Sequence, residues 1–267
     1  MSQQPQPWAL ILGASSGFGE AASIELARAG MNIFGVHLDR RATLPHVEEV
    51  KAAIQALGRE PVFFNANAVD EEKRRQILEA MRARCQDPAS PGTVRALLHS
   101  IAFGSLLPYV SANDEKVASK AQLEMTCDTM AHSLVYWVQE LVRTGLLARG
   151  GRVFAMTSAG GTRAIPRYGP VSGAKALLES HIRQLALELA PLGITANAIR
   201  AGVTDTPSSR KIPDSDKLFE FAALRNPYGR LTTTVDVARC IAVLAHENTY
   251  WMTGNTIGVD GGEDVVG

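Results

Sequence analysis

Tyr168 and Lys175 stand with six residues between them in the stretch Thr157–Glu179, TSAGGTRAIPRYGPVSGAKALLE. A phenol beside an ammonium is a proton-donating pair. The phenol ionises near pH 10 when unperturbed, and a cation within about 4–6 Å favours the phenolate and draws that value down. Seven positions are two turns of a helix, so both side chains can look out of one face toward one pocket. The stretch follows an apolar run at Gly151–Met156 that reads as a buried strand. It leads into a segment where Ala174, Leu177, Leu178, Leu185 and Leu189 recur at helical spacing. Spacing alone leaves an unrelated surface tyrosine and lysine equally open, so the context must come from elsewhere in the chain.

A second chemical signal lies near the start. Trp8–Leu12 reads as a short apolar strand, followed at once by Gly13, Ala14, Ser15, Ser16, Gly17, Phe18 and Gly19, then by a helical pattern through Ala29. Strand, glycine-rich turn and helix form the context in which a dinucleotide pyrophosphate binds. Glycines let the backbone approach the phosphates, and the helix N-terminus offers free N–H groups and positive potential. The spacing is G-x3-G-x-G, not the general G-x-G-x-x-G. Ser15 and Ser16 are placed for phosphate contact, although serine is common in any tight turn.

Asn32–Val36 reads as the second strand. At its end, where an acid would bind an adenosine ribose hydroxyl, stand His37, Leu38, Asp39, Arg40 and Arg41. The missing acid and the nearby guanidinium groups point to a 2′-phosphate, because arginine meets phosphate bidentately. NADPH is therefore expected over NADH. Asp39 would take the ribose role if the strand ran two residues further, and the bland alternative is that Arg40 and Arg41 are solvated loop residues.

The elements that must position these groups alternate. Helical patterns at Val47–Leu57 and Glu71–Arg84 and apolar strands at Pro61–Asn65 and Val94–His99 predict a parallel sheet with helices on both faces, an α/β fold. Asn67 and Ala68 follow the third strand. Leu123–Leu147 reads as one long helix, with Tyr136 and Trp137 as core or subunit-interface aromatics. A strand at Ile194–Ile199 leads to Gly202, Val203 and Thr206, and the proline-punctuated segment 205–230 reads as a mobile lid with a short helix near Leu218–Leu224. Thr234–His246 is the last helix and Thr256–Val259 the last strand.

The chain has 267 residues, 46% of them apolar and 20% charged, with 27 basic against 27 acidic side chains. Zero formal charge gives no footprint for nucleic acid. Cys85, Cys127 and Cys240 have no metal or redox spacing and read as buried, reduced thiols. Residues 1–7 lack the basic start and apolar core of a signal peptide, and no run reaches the length of a membrane span. The expectation is a cytoplasmic protein of one domain over 1–267, with no metal, nucleic-acid or membrane partner.

Taken together, the Gly13/Gly17/Gly19 turn, the Lys175 helix, Ala196-Asn197-Ala198 and the closing Val259-Asp260-Gly261-Gly262 resemble the short-chain dehydrogenase/reductase superfamily over essentially the whole chain. The resemblance implies a single doubly wound Rossmann-type domain with seven parallel strands, usually assembled as a homotetramer through two long helices. Most of that superfamily uses Tyr-x3-Lys with a serine and an asparagine. Here the tyrosine position is Val171, the serine position Ser158, and the asparagine position falls near Met130.

Tyr168-x6-Lys175, the preceding Arg163–Arg167 and His99-Ser100-Ile101-Ala102-Phe103-Gly104 instead resemble the enoyl-acyl-carrier-protein reductase branch, in its NADPH-dependent class. That likeness implies reduction of the 2,3 double bond of a trans-2-enoyl thioester, presented on acyl carrier protein, in fatty acid synthesis. Tyr168, Lys175 and Ser158 become the catalytic candidates. Ser100, Ile101 and Ala102 would line the cofactor, Asn67 and Ala68 the adenine, and Gly202, Val203 and Thr206 the nicotinamide. Tyr109 is a further candidate substrate contact, and His132 and His181 read as surface or interface residues. The competing readings are a carbonyl or 3-ketoacyl reductase, which Val171 opposes, and a non-catalytic NADP(H)-binding sensor, for which Met130 and Ser158 would speak.

Overall fold

Strands rich in Trp, Leu, Ile and Val alternate with amphipathic helices along the computed structural model, which describes residues 5–113 and 115–266. The strands are β1 (Gln6–Leu12), β2 (Asn32–His37), β3 (Pro61–Asn65), β4 (Gly92–His99), β5 (Leu147–Ser158), β6 (Thr195–Ala201) and β7 (Thr256–Val259). The helices are α1 (Gly17–Arg28), α2 (Leu44–Ala56), α3 (Glu71–Cys85), α4 (Lys120–Cys127), α5 (Ser133–Arg143), α6 (Gly169–Leu189), α7 (Ser215–Arg225) and α8 (Thr234–Leu244). The strands form one sheet in the order β3-β2-β1-β4-β5-β6-β7, every neighbour parallel. This is the doubly wound Rossmann-type fold.

Alternation along each strand divides the core in two. Trp8, Leu10 and Leu12 of β1 face a cluster with α3, α5 and α6, whereas Ala9 and Ile11 face α1, α2 and α8. Trp137 belongs to the first cluster and is fully buried. Its indole N–H donates to the Ala68 carbonyl at 2.9 Å, which fixes the chain just beyond β3. Tyr136, its neighbour, is half-buried and donates to Asp128.

The single helix expected over Leu123–Leu147 is instead α4 and α5, joined by a π turn at Asp128–His132. Side chains that bond back into the helix explain the break. The Thr126 hydroxyl donates to the Gln122 carbonyl at 2.7 Å, and the Ser133 hydroxyl donates to the Thr129 carbonyl at 2.8 Å. The helix also stops earlier than expected, because Gly145 adopts φ 72° and Leu147 already belongs to β5. Of the cysteines only Cys85 is buried; Cys127 and Cys240 are half-buried. Among the described residues no helix is long and apolar enough to cross a membrane, and no three His, Cys, Asp or Glu side chains gather as metal ligands.

Trp137→Phe should lower the unfolding free energy by about 1–3 kcal/mol in urea denaturation, because the Ala68 carbonyl loses its buried donor.

Candidate active site

Strand order turns back between β1 and β4, and parallel sheets open a crevice at the carboxyl ends beside such a point. The glycine turn lies there, in backbone contact with its surroundings. A Cβ on Gly13, where φ is 94°, would stand 2.4 Å from the Ser100 carbonyl oxygen, and one on Gly19 would stand 1.9 Å from the Gly13 carbonyl oxygen. Only bare backbone fits at either position. Ser16 precedes α1 without a side-chain capping bond, so the first-turn N–H groups stay available to an anion. The turn also reaches the loop beyond β6: a Cβ on Gly17 would lie 3.6 Å from the Thr206 methyl.

A cavity of about 220 Å³ continues this crevice. It brings together Phe18, Ser100, Ile101, Ala102, Ser158, Tyr168, Lys175, Gly202, Val203 and Thr206. Lys211, Ile212 and Leu218, from the segment expected as a lid, line it as well. Gly13, Ser15, Ser16, Gly17, Gly19, His37, Arg40, Arg41, Asn67 and Ala68 lie outside that cavity, at and beyond the ends of β1, β2 and β3. A second cleft, of about 300 Å³, is lined by Arg230, Asp236 and Tyr228 and holds none of the candidate residues.

Tyr168 stands at the N-cap position, just before α6, rather than sharing a helix face with Lys175. The preceding Arg167 takes φ 61°, a left-handed conformation that costs a non-glycine residue of order 1–3 kcal/mol, and its side chain pairs with Glu115. Gly160 lies flat beneath the phenol, since a Cβ there would be 2.5 Å from a ring carbon. Burial pushes the Tyr168 pKa above its ordinary value, with the Ser158 hydroxyl opposing. The expectation that Lys175 draws the phenol down is therefore corrected. The lysine Nζ turns to the Met156 carbonyl, donating at 2.7 Å, and desolvation governs the tyrosine.

Lys175 itself is 5% exposed. Burial lowers its pKa to about 8, while Glu179, one turn further along α6, works the other way. Glu179 is held by the Thr157 hydroxyl, which donates at 2.6 Å. Behind the lysine, fully buried His99 is pushed down to about 3 by desolvation and by the Lys175 charge, so its imidazole is neutral. Ser133 spends its proton on Thr129, so the ring contact at 2.8 Å must be His99 Nε2–H donating to the hydroxyl.

The remaining candidates divide. Thr206 is buried, and its hydroxyl exchanges hydrogen bonds with Ser209 in a turn. Ser158 accepts from the Gly160 N–H at 3.1 Å. Exposed Asn67 accepts from the Val69 N–H at 3.3 Å. Tyr109 is largely exposed and packs on Gly169 at the start of α6, outside the cavity. His132 and His181 pair with each other at 3.1 Å across the π turn and α6.

His37 is buried at the end of β2, one residue beyond the expected boundary, with Nδ1 2.9 Å from Asp39. Burial works against the Asp39 charge, but the Ser15 and Thr43 hydroxyls and the His37 ring together keep its pKa below the ordinary value. Arg40 and Arg41 are exposed. Sequence reasoning missed Glu263, a buried carboxylate that lines the cavity. The signal available was an acid directly after the Gly261-Gly262 turn.

A backbone cradle that a Cβ would fill, an uncapped helix N-terminus and a buried ammonium fit a dinucleotide. The family model described as Enoyl-(Acyl carrier protein) reductase matches residues 13–263. The chain belongs to this family of short-chain dehydrogenases/reductases. Similar proteins include the 1-cyclohexenylcarbonyl-CoA reductase of Streptomyces collinus, 27% identical over 96% of this chain and 86% of its own length. The 3-oxoacyl-[acyl-carrier-protein] reductase of Pseudomonas aeruginosa is 28% identical over 95% and 96%. The enoyl-acyl carrier protein reductase of Bacillus cereus, solved with NADP+ and indole naphthyridinone, shares the fold with a TM-score of 0.86 at 24% identity, over 99% of this chain and 98% of that one.

In this reductase the two departures from the common superfamily pattern touch. Met130 and Val171 form one buried cluster with Ala174, against which Leu106, Cys127 and Tyr168 pack. Both positions are apolar and pack together.

Lys175→Met should abolish turnover yet raise stability at pH 7 by about 1–4 kcal/mol, since a desolvated charge is removed. The sign follows from linkage: the folded lysine loses its proton near 8, the unfolded one near 10.5. Wild-type stability therefore rises between those values, and the advantage of the variant shrinks there. Urea titrations at several pH values check this.

Proposed function

We propose that this reductase is an NADPH-dependent enoyl-acyl-carrier-protein reductase, reducing the 2,3 double bond of trans-2-enoyl thioesters in fatty acid synthesis. The observation that carries the reading is the joint one above: Val171 and Met130 make an apolar wall, and the phenol that lines the cavity with Lys175 is Tyr168. When bound, the cofactor supplies the hydride that C3 of the substrate accepts. The chain's own residues position and stabilise. Tyr168, kept protonated by burial, donates to the thioester oxygen as negative charge builds there. One preorganised donor of this kind is worth about 2.7–4 kcal/mol in the transition state. Lys175 spends one N–H on Met156, leaving two to hold the nicotinamide ribose hydroxyls. Ser158 orients the phenol.

The glycine turn and α1 would hold the pyrophosphate, with Thr206 and Val203 at the nicotinamide and Asn67 and Ala68 at the adenine. Arg40 and Arg41, exposed beyond β2, would meet a 2′-phosphate. Asp39, held by His37 and Ser15, favours the alternative in which a ribose diol and NADH are taken. A homotetramer is proposed from apolar surface such as Leu187 on α6 and Trp251, 70% and 86% exposed, and light scattering tests it. The second reading, a 3-ketoacyl reductase, draws support from the Pseudomonas aeruginosa relative.

Cofactor oxidation with NADPH and NADH, on enoyl and 3-ketoacyl thioesters of equal chain length, separates these. Turnover should occur on the enoyl substrate and be faster with NADPH. Tyr168→Phe should lower kcat by about 10²–10³. Turnover on the ketone alone would refute the enoyl reading, and equal efficiency with NADH would refute the role of Arg40 and Arg41.

A further inference from the structure

The chain ends by turning back beneath the cavity. Gly261 and Gly262 take φ of 62° and 85°, and the Asp260 carboxylate caps the turn by accepting from the Gly262 N–H at 2.9 Å. The turn delivers two consecutive acids, Glu263 and Asp264, into the protein. Glu263 is 5% exposed, accepts the Val203 N–H at 3.0 Å and faces the Arg225 guanidinium, in the last turn of α7, at 3.8 Å. Gly202 packs so closely that a Cβ there would lie 2.8 Å from the Glu263 carboxylate. Asp264 meets Arg200 at the end of β6 at 2.8 Å and Arg163 at 2.7 Å; Arg163 also donates to the Asp264 carbonyl at 2.7 Å. Arg163 stands five residues before Tyr168.

Two adjacent acids thus touch three elements that frame the site: the loop leading to Tyr168, the Gly202–Thr206 loop and the helix of the covering segment. A buried carboxylate needs such partners, because an unpaired one is costly. Removing either charge would free what it holds.

We propose that Glu263 is a positioning residue of this reductase: it seats the Val203 amide at the cavity floor and tethers α7, so that the covering segment is held over the substrate. Asp264 does the same for the loop before Tyr168. Neither acid touches the reacting atoms. The proposal rests on this cavity being the cofactor and substrate site, and not on which thioester is reduced. Burial raises the Glu263 pKa, with the nearby charges of Asp260 and Asp264 adding and the Val203 N–H and Arg225 opposing, so acid should loosen the tether by protonating the carboxylate that faces Arg225.

Glu263→Gln keeps an oxygen for the Val203 N–H and loses the charge facing Arg225, whereas Glu263→Ala loses both. Trypsin can report the covering segment through Arg210, Lys211, Lys217 and Arg225. In E263Q, cleavage there should accelerate about fivefold and the acyl KM rise about as much, with a smaller change in kcat, as expected when one long ion pair, at 3.8 Å, is lost to a neutral side chain of the same shape. The Kd for NADPH, measured by nicotinamide fluorescence, should stay near wild type in E263Q and weaken about tenfold in E263A, where the Val203 N–H is left without its acceptor. The wild-type KM should climb on acidification toward that of E263Q, whose own KM stays flat. Wild-type cleavage and a wild-type pH profile in E263Q would overturn the proposal. So would a loss in E263A confined to thermal stability. Because proteolysis and cofactor binding need no acyl substrate, a wrong substrate assignment leaves both readouts intact.

Discussion

A lysine ammonium held out of water is the constraint on which this structure turns. Lys175 is 5% exposed, with its Nζ on the Met156 carbonyl, and desolvation draws its pKa down to about 8. Burying a charge so thoroughly opposes folding, and only surroundings that over-determine its position keep it there. Those surroundings are the parallel strands β4 and β5, whose carboxyl ends bring His99 and Met156 to it, and α6, which supplies Glu179. The imidazole behind it must be neutral, and His99 is braced through Ser133 at the π turn. That turn is where α4 passes into α5, so an irregular helix and a buried charge belong to one arrangement.

The same dry environment acts on Tyr168 in the opposite chemical sense. Desolvation keeps a phenol protonated, while it brings an ammonium closer to losing its proton. A protonated phenol in a cavity that also holds a cation suits hydrogen-bond donation to an oxygen that gains charge. Met130 and Val171 close the wall on which another donor would otherwise stand, and the Tyr168 side chain packs against that same apolar cluster.

Much of this was legible in the residues. Repeated strand and helix patterns with Val, Leu and Ile strands foretold the parallel sheet, because a strand buried on both faces has little choice of composition. The Gly13–Gly19 spacing foretold the tight turn, and a Cβ added at Gly13 or Gly19 would fall within 3 Å of backbone oxygen, which is why no side chain serves there. Tyr168 and Lys175 do line one cavity. The rest depended on long-range contacts that local patterns do not encode. Lys175 bonds to a carbonyl 19 residues back, so spacing to Tyr168 could not say which partner its charge would take. Ser133, at the end of the π turn, meets His99, 34 residues away. Glu263 is buried against Val203, 60 residues upstream, and nothing in its neighbourhood marks it beyond two glycines.

The most direct test follows one atom. With NADPH deuterated at the transferring position of the nicotinamide, a single turnover on a trans-2-enoyl thioester in ordinary water is analysed by NMR of the product. A donor phenol at the thioester oxygen and hydride delivery to the far alkene carbon predict deuterium at C3 and a solvent-derived proton at C2. Deuterium at any other carbon, or label accepted only by a 3-ketoacyl thioester at its carbinol carbon, would contradict the account.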